Sequence, residues 1–220
     1  SEDYGIVTKT RELSDRRGNI GFDQLLYFQN GNMPKLRVYN ADGSEADNCI
    51  NGLRCIAFLY GLKNTYIQIK DKKFLVNTTT NGATVRANIP IVGKIHNWFV
   101  IEFGNNHIAK FCEDIDEFDL KAEYIRAKNY KPFNKIKDFN LSIFKICGDI
   151  IKIRTYENGT GETLSCGSAT LSVACALSKE LDLKKFKFSS RGGITKVYIS
   201  NDSVISEARA QVLEEGFLDG

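Results

Sequence analysis

Gly159-Thr160-Gly161-Glu162-Thr163-Leu164-Ser165-Cys166-Gly167-Ser168-Ala169 reads as a loop that turns into a helix at a cysteine. The same design occurs half a chain earlier, in Asp42-Gly43-Ser44-Glu45-Ala46-Asp47-Asn48-Cys49-Ile50-Asn51-Gly52. In each stretch a Glu stands four residues before the Cys and an Asn or Ser two residues after it. Apolar residues then recur at helical spacing, Leu53, Ile56, Leu59 and Tyr60 after the first and Leu171, Ala174 and Leu177 after the second. Asn51 and Ser168 are the expected caps. Both thiols then lie at helix N-termini, where unpaired N–H groups and the positive dipole end favour a thiolate and predict a pKa below the usual value of about 8.5. Two such thiols facing one another form an acid/base pair.

Strand patterns flank both stretches. Gly21 to Phe28 and Lys35 to Tyr39, joined by a turn at Asn30-Gly31, lead into the first cysteine, and a weak helical pattern over Tyr4 to Arg17 precedes them, ending before Gly18-Asn19. Tyr66 to Lys70, Lys73 to Thr79 and Ala83 to Ile89 follow the first helix, with a turn at Asn81-Gly82. Pro90 and Gly93 mark a boundary. Trp98 to Phe103 reads as a strand that stops at Gly104-Asn105-Asn106-His107 and resumes at Ile108, and Asp116 to Lys128 as a helix. Leu141 to Cys147 and Asp149 to Tyr156 lead into the second cysteine; Lys184 to Ser189, Ile194 to Ser200 and Val204 to Ala210 follow its helix. The pattern predicts an α+β protein of two pseudo-symmetric, mostly antiparallel halves, each a sheet wrapped on one helix.

A 220-residue chain with 42% hydrophobic residues can build two ordinary cores. Its net charge of +3 is spread without a basic stripe, which argues against a nucleic-acid surface. With no run of 18 apolar residues and no signal-peptide pattern, the expectation is a cytoplasmic protein that does not enter the membrane. Six cysteines without a Cys-x-x-Cys pair, and only two His, give no zinc pattern. Cys55, Cys112, Cys147 and Cys175 read as small core residues, and His96 as structural.

Gly21-Phe-Asp-Gln24, Asn40 through Cys49-Ile-Asn-Gly-Leu-Arg-Cys55, Gly104-Asn105-Asn106-His107, Tyr156 through Ser168, Arg191-Gly-Gly193 and Glu215-Gly-Phe217 together resemble diaminopimelate epimerase, a family of cofactor-independent amino-acid epimerases. The resemblance implies an N-terminal domain over 1–92 without the family's first strand and its Gly-Asn-Asp-Phe segment, completed by a C-terminal strand over 211–220. It implies a second domain over 93–210. The catalytic residues implied are Cys49 and Cys166, with Gln24, Asn40, Ile50, Asn51, Asn105, Asn140, Glu157, Asn158, Gly167 and Ser168 on the substrate and His107 as a thiol helper. No cofactor is implied; the partner is a small amino-acid substrate, and a homodimer is allowed.

That residue set suits the chemistry. Removing an α-proton leaves a carbanion whose charge spreads into the carboxylate, and two helix N-termini can bind that charge with backbone N–H groups. Amides suit a carboxylate and Glu157 suits an ammonium. The chain departs from the family at Asn158, where the family has Arg, at Ile50 (Gly) and at Asn106 (Pro), and it is shortened between Pro90 and Trp98. These departures keep two alternatives open, another cofactor-independent racemase of the same fold and a binding homologue without activity.

Overall fold

A hairpin of β1 (Gln24–Gln29) and antiparallel β2 (Lys35–Asn40) runs into the first cysteine loop and helix α2 (Ile50–Leu59). The chain returns on β3 (Thr65–Ile69), parallel to β2, and continues antiparallel through β4 (Lys72–Thr79) and β5 (Gly82–Asn88). The second half repeats this path. Antiparallel β9 (Phe139–Cys147) and β10 (Ile150–Glu157) lead to the second cysteine loop and α4 (Gly167–Leu181); β12 (Lys185–Ser190) returns parallel to β10, followed by antiparallel β13 (Gly193–Ile199) and β14 (Ser203–Arg209). The structure, a computed structural model, describes residues 2–17, 20–136 and 138–216.

The last strands of the two repeats, β5 and β14, pair antiparallel from Ser203↔Asn88 to Arg209↔Gly82, so the halves share one continuous sheet. β6 (Ile91–Ile95), β7 (Trp98–Phe103) and β8 (Asn105–Phe111) extend the second half, β8 lying parallel to β9. The short β11 (Gly161–Thr163) folds back on β10 within the second cysteine loop. Helix α1 (Glu2–Leu13) precedes the first hairpin, and α3 (Leu120–Lys128), capped by Asp119, follows β8.

One core spans both repeats, with Leu36, Val38 and Leu53 from the first and Leu171, Phe188 and Val204 from the second fully enclosed. Shortening a Leu here to Ala costs about 2–5 kcal/mol. Helix α4 is buried continuously from Gly167 to Ser178, and its small residues Ala169, Ala174 and Ala176 let the sheet approach it on several sides. A second cluster, with Trp98, Ile108, Ile115, Phe133 and Phe139, packs α3 against β7, β8 and β9.

Several expectations change. β6 occupies the segment read as a boundary at Pro90 and Gly93, because Val92 and Ile95 pack inward while Ile91 faces solvent. β8 begins at Asn105, three residues before the expected restart, its polar side chains being held by partners described below. The helix expected from Asp116 starts at Leu120. Residues 210–216 form no strand, and Gly18, Asn19 and Phe217 to Gly220 lie outside the described residues. Cys112 and Cys175 are buried as expected; Cys55 and Cys147 are exposed, Cys55 because it falls on the outer side of α2 and Cys147 because it ends β9 at a turn. Among the described residues no helix is long and apolar enough to cross a membrane.

Candidate active site

Cys49 and Cys166 themselves occupy the N-cap positions of α2 and α4, where Asn51 and Ser168 were expected. Cys49 is extended (φ −151°, ψ 95°) and its Sγ accepts from the Gly52 N–H at 3.1 Å, the role an N-cap oxygen ordinarily plays. Cys166 is likewise extended (φ −110°, ψ 110°), with Ser168 Oγ 3.4 Å from its sulfur. Both cysteines are buried.

The two helix starts abut. Asn51 Nδ2 donates to the Ser165 carbonyl at 2.9 Å, across more than one hundred residues of sequence. A Cβ on Gly167 would lie 2.7 Å from Asn51 Oδ1 and 2.8 Å from Ile50 Cβ, so only glycine permits this approach.

Each thiol has its own polar partner. Cys49 Sγ donates to Gln24 Oε1 at 2.8 Å, and Gln24 Nε2 donates to Asn40 Oδ1 at 3.0 Å, these two residues being cross-strand partners on β1 and β2. Cys166 Sγ donates to Glu157 Oε2 at 3.3 Å, while Thr163 Oγ1 donates to Glu157 Oε1 at 2.5 Å. Glu157 also acts electrostatically on Cys49, so one carboxylate addresses both thiols.

The remaining candidates form a polar strip beside these groups. Asn48 Nδ2 donates to the Phe103 carbonyl at 2.8 Å and reaches Asn105 Oδ1 at 3.3 Å. His107 Nε2 lies 3.2 Å from the same oxygen. Because Asn105 Oδ1 is the acceptor, His107 is the Nε2–H tautomer and its buried Nδ1 has no partner among the described residues. Asn140 is the register partner of His107, and its Oδ1 accepts from the Asn158 N–H at 2.9 Å. Asn158 Oδ1 in turn accepts from the Tyr124 hydroxyl at 2.6 Å. His107 thus touches Asn105 and, among the described residues, hydrogen-bonds to neither thiol.

The electrostatics overturn the expectation of lowered thiol pKa values. Burial pushes the Cys49 thiol up to about 11, against the smaller opposing effects of the Gly52 N–H and Arg54. Burial, then the Glu157 charge, puts Cys166 well above its ordinary value. Desolvation of a thiolate in an enclosed site outweighs two helix ends here. Burial likewise raises Glu157 and lowers His107 to about 3, which leaves the imidazole neutral.

The repeated Glu of the two motifs has a structural task. Glu45 forms a bidentate pair with Arg37 of β2, and Glu162 the equivalent pair with Arg154 of β10. Each ties a cysteine loop to the strand before it. Arg154 is further committed to the carbonyls of Ile115, Asp116 and Phe118. Asn48 and Thr163 were not singled out from sequence, and Arg54 stood out only as a cation that could replace the Arg missing at Asn158. A signal existed for Arg54, which shares the buried stripe of α2 with Ile50, Leu53 and Ala57.

No family model matches the chain. Among curated proteins it is 34% identical to the diaminopimelate epimerase of Wigglesworthia glossinidia brevipalpis, covering 72% of this chain and 70% of that protein. It is 32% identical to that of Blochmanniella floridana (79% and 72%) and 28% identical to that of Buchnera aphidicola subsp. Baizongia pistaciae (85% and 77%). Among solved structures it resembles a PhzC/PhzF-type phenazine-biosynthesis protein from Clostridium difficile, with TM-score 0.72 and 14% identity over 98% of this chain and 88% of that one. A predicted epimerase from Pseudomonas aeruginosa gives TM-score 0.66 and 15% identity (97% and 89%). These structural likenesses show the shared α+β fold, and the sequence relatives show that the chain belongs to the diaminopimelate epimerase family, which are isomerases.

Proposed function

We propose that the chain is a diaminopimelate epimerase that converts LL-2,6-diaminopimelate to the meso form, without pyridoxal phosphate, in the supply of lysine and peptidoglycan precursors. The observation that carries this reading is the pair of buried cysteines capping two abutting helices, with Glu157 acting on both. One thiolate takes the α-proton and becomes a thiol. The opposite thiol delivers its proton to the other face of the carbanion and becomes the thiolate, so the centre inverts and the reverse reaction exchanges the roles. Glu157, with its raised pKa, is suited to accept the first proton from Cys166. The backbone N–H groups that open α2 and α4 bind the charge developing on the α-carboxylate, in an enclosed site where each counts for more.

Gln24, Asn40, Asn51, Asn105, Asn140 and Ser168, with the backbone of Ile50 and Gly167, form the proposed substrate shell. The two repeats are read as two lobes that close on the substrate, and the cytoplasm as the location. A second reading is favoured by Asn158: bonded to Tyr124, it puts a neutral amide where the family carries an Arg, which suits an amino acid without a second carboxylate. Assays of proton exchange and inversion on diaminopimelate, proline, glutamate and histidine separate the two. Turnover of diaminopimelate alone supports the first reading, turnover of a mono-carboxylate alone replaces it with the second, and inactivity on all four with ligand still bound refutes both.

A further inference from the structure

We propose that Arg54 is the positioning residue of the two-cysteine site, holding the two helix starts together through Asn51 and keeping a positive charge behind Cys49. The inference rests on the two-cysteine reading above.

Arg54 lies on the inward face of α2 and is 4% exposed. One guanidinium nitrogen donates to Ser206 Oγ on β14, the strand that joins the two repeats. Another donates to Asn51 Oδ1. That bond fixes which way the Asn51 amide points: with its oxygen occupied by Arg54, its Nδ2 faces the Ser165 carbonyl, the residue immediately before Cys166. A flipped amide would set two donors against each other and a carbonyl against a carbonyl. One side chain therefore connects β14, α2 and the start of α4.

Among the described residues Arg54 makes no ion pair with a carboxylate. A buried cation without a carboxylate is costly unless something else requires it. Burial brings Arg54 down to about 10, and the groups that oppose this are the sulfurs of Cys49 and Cys55. The effect is mutual, Arg54 favouring the ionised form of Cys49. The charged or titratable groups bearing on Cys49 are Glu157 from β10, which disfavours its thiolate, and Cys55 and Arg54 from α2 itself. Arg54 is the one cation in that set, and its two donors are committed to Ser206 and Asn51.

The test is chemical and needs no substrate, so it stands apart from the assay that tests the epimerase reading. In a full-length Cys55→Ser background, iodoacetamide alkylation of Cys49 and Cys166 is followed against pH by peptide mass spectrometry, for the parent, Arg54→Met, Arg54→Lys and Asn51→Ala. Loss of the charge in Arg54→Met, the weakest of the influences on this thiol, is expected to raise the Cys49 midpoint by roughly a few tenths of a unit, a roughly two- to threefold slower reaction at fixed pH. Arg54→Lys restores the charge and returns the midpoint, a separation that loss of packing alone would not produce. Loss of the fork in Arg54→Met and Arg54→Lys, and of the amide in Asn51→Ala, frees the start of α4, so Cys166 reacts several-fold faster in all three. Parent-like Cys49 and Cys166 profiles in Arg54→Met overturn the proposal. Should Arg54→Met not fold, parent-like Cys166 reactivity in both Arg54→Lys and Asn51→Ala overturns it.

Discussion

Glu157 accepts from the Cys166 thiol at 3.3 Å with one carboxylate oxygen and from the Thr163 hydroxyl at 2.5 Å with the other. Burial lifts the Glu157 carboxyl above its ordinary value, so over a window above the unfolded pKa the folded chain holds a proton that the unfolded chain has released. The stability this group contributes is greatest at low pH and falls as pH rises through the folded value. Glu157→Gln removes that loss. Its melting temperature should exceed that of the parent at about pH 8 and approach it near pH 4, close to the unfolded carboxyl pKa. Its epimerisation rate should fall by about a hundredfold or more, the usual cost of losing a general base. Thermal scans at the two pH values check the sign, and a variant less stable than the parent at the higher pH would refute the burial argument.

His107 has the opposite linkage. Its pKa is held near 3 by burial, so the folded chain stays unprotonated where an unfolded histidine, with pKa about 6.5, takes up a proton. The stability this provides is fully present above about pH 6.5 and is lost as pH falls toward the folded value. Of the two histidine ring signals in an NMR titration, that of His107 should not move between about pH 5 and 8. His107→Gln should flatten the acid limb of the stability profile. A His107 signal titrating near the ordinary value would show that the imidazole charges in the folded protein and would remove the linkage.

Legibility in the sequence followed the range of the interactions. The two hairpin, loop and helix repeats could be read because β2, β10, α2 and α4 each carry a local apolar period. β8 could not be read to its start, because Asn105 and His107 look like turn residues until Asn48 and parallel β9 supply their partners. The three-residue β11 is too short to show any period. The site residues came from the motif context, whereas the Asn51 to Ser165 bond and the Arg54 fork join segments that no local pattern relates. The thiol pKa direction was misread because a helix end is visible in sequence and the enclosure that opposes it is not.

Gly167→Ala tests the close approach of the helices. In an exposed helix interior this change stabilises by roughly 0.5–1 kcal/mol. Here the new methyl meets Asn51 Oδ1 and Ile50 Cβ at under 3 Å, so the helices must part. Overpacking of this kind costs about 1–3 kcal/mol, and the sign of the change reverses. Denaturant titration measures it; an Ala variant more stable than the parent would mean that the two helix starts do not abut in solution.

Cys49 and Cys166 are expected to divide the proton transfer between them. Cys49→Ser and Cys166→Ser should each abolish epimerisation, while at least one retains halide elimination from a β-halo analogue, which requires a single base. In deuterated solvent the label should enter the product isomer before the recovered substrate. Equal incorporation into both from the first time point would point to one base serving both faces. Mild oxidation should join the two sulfurs, and peptide mapping that recovers other thiol pairs but never Cys49 with Cys166 would contradict a shared site.

On the proposed reading, Asn158 meets the far end of the substrate. Its N–H is anchored on Asn140, and its side-chain oxygen takes the hydroxyl of Tyr124, whose ring stacks on Tyr156 at a centroid distance of 4.5 Å. At the position to which the family resemblance assigns a guanidinium, this chain presents an amide already bonded to a phenol. Hydrogen bonds to charged groups are worth about 1.5–3 kcal/mol, so an Arg fork on a distal carboxylate corresponds to roughly ten- to a hundredfold in affinity. That carboxylate takes no part in proton transfer and is held alike in ground and transition states, so the difference belongs in KM. Asn158→Arg should therefore lower KM for diaminopimelate within that range and leave kcat nearly unchanged, and Tyr124→Phe, which frees the amide oxygen, should have a smaller effect. Arg154 is committed to Glu162 and three carbonyls, and Arg54 to Ser206 and Asn51, so neither is free to substitute. A native KM for diaminopimelate that is already low, and that rises in Asn158→Arg, would show that the Tyr124–Asn158 pair itself recognises the distal group.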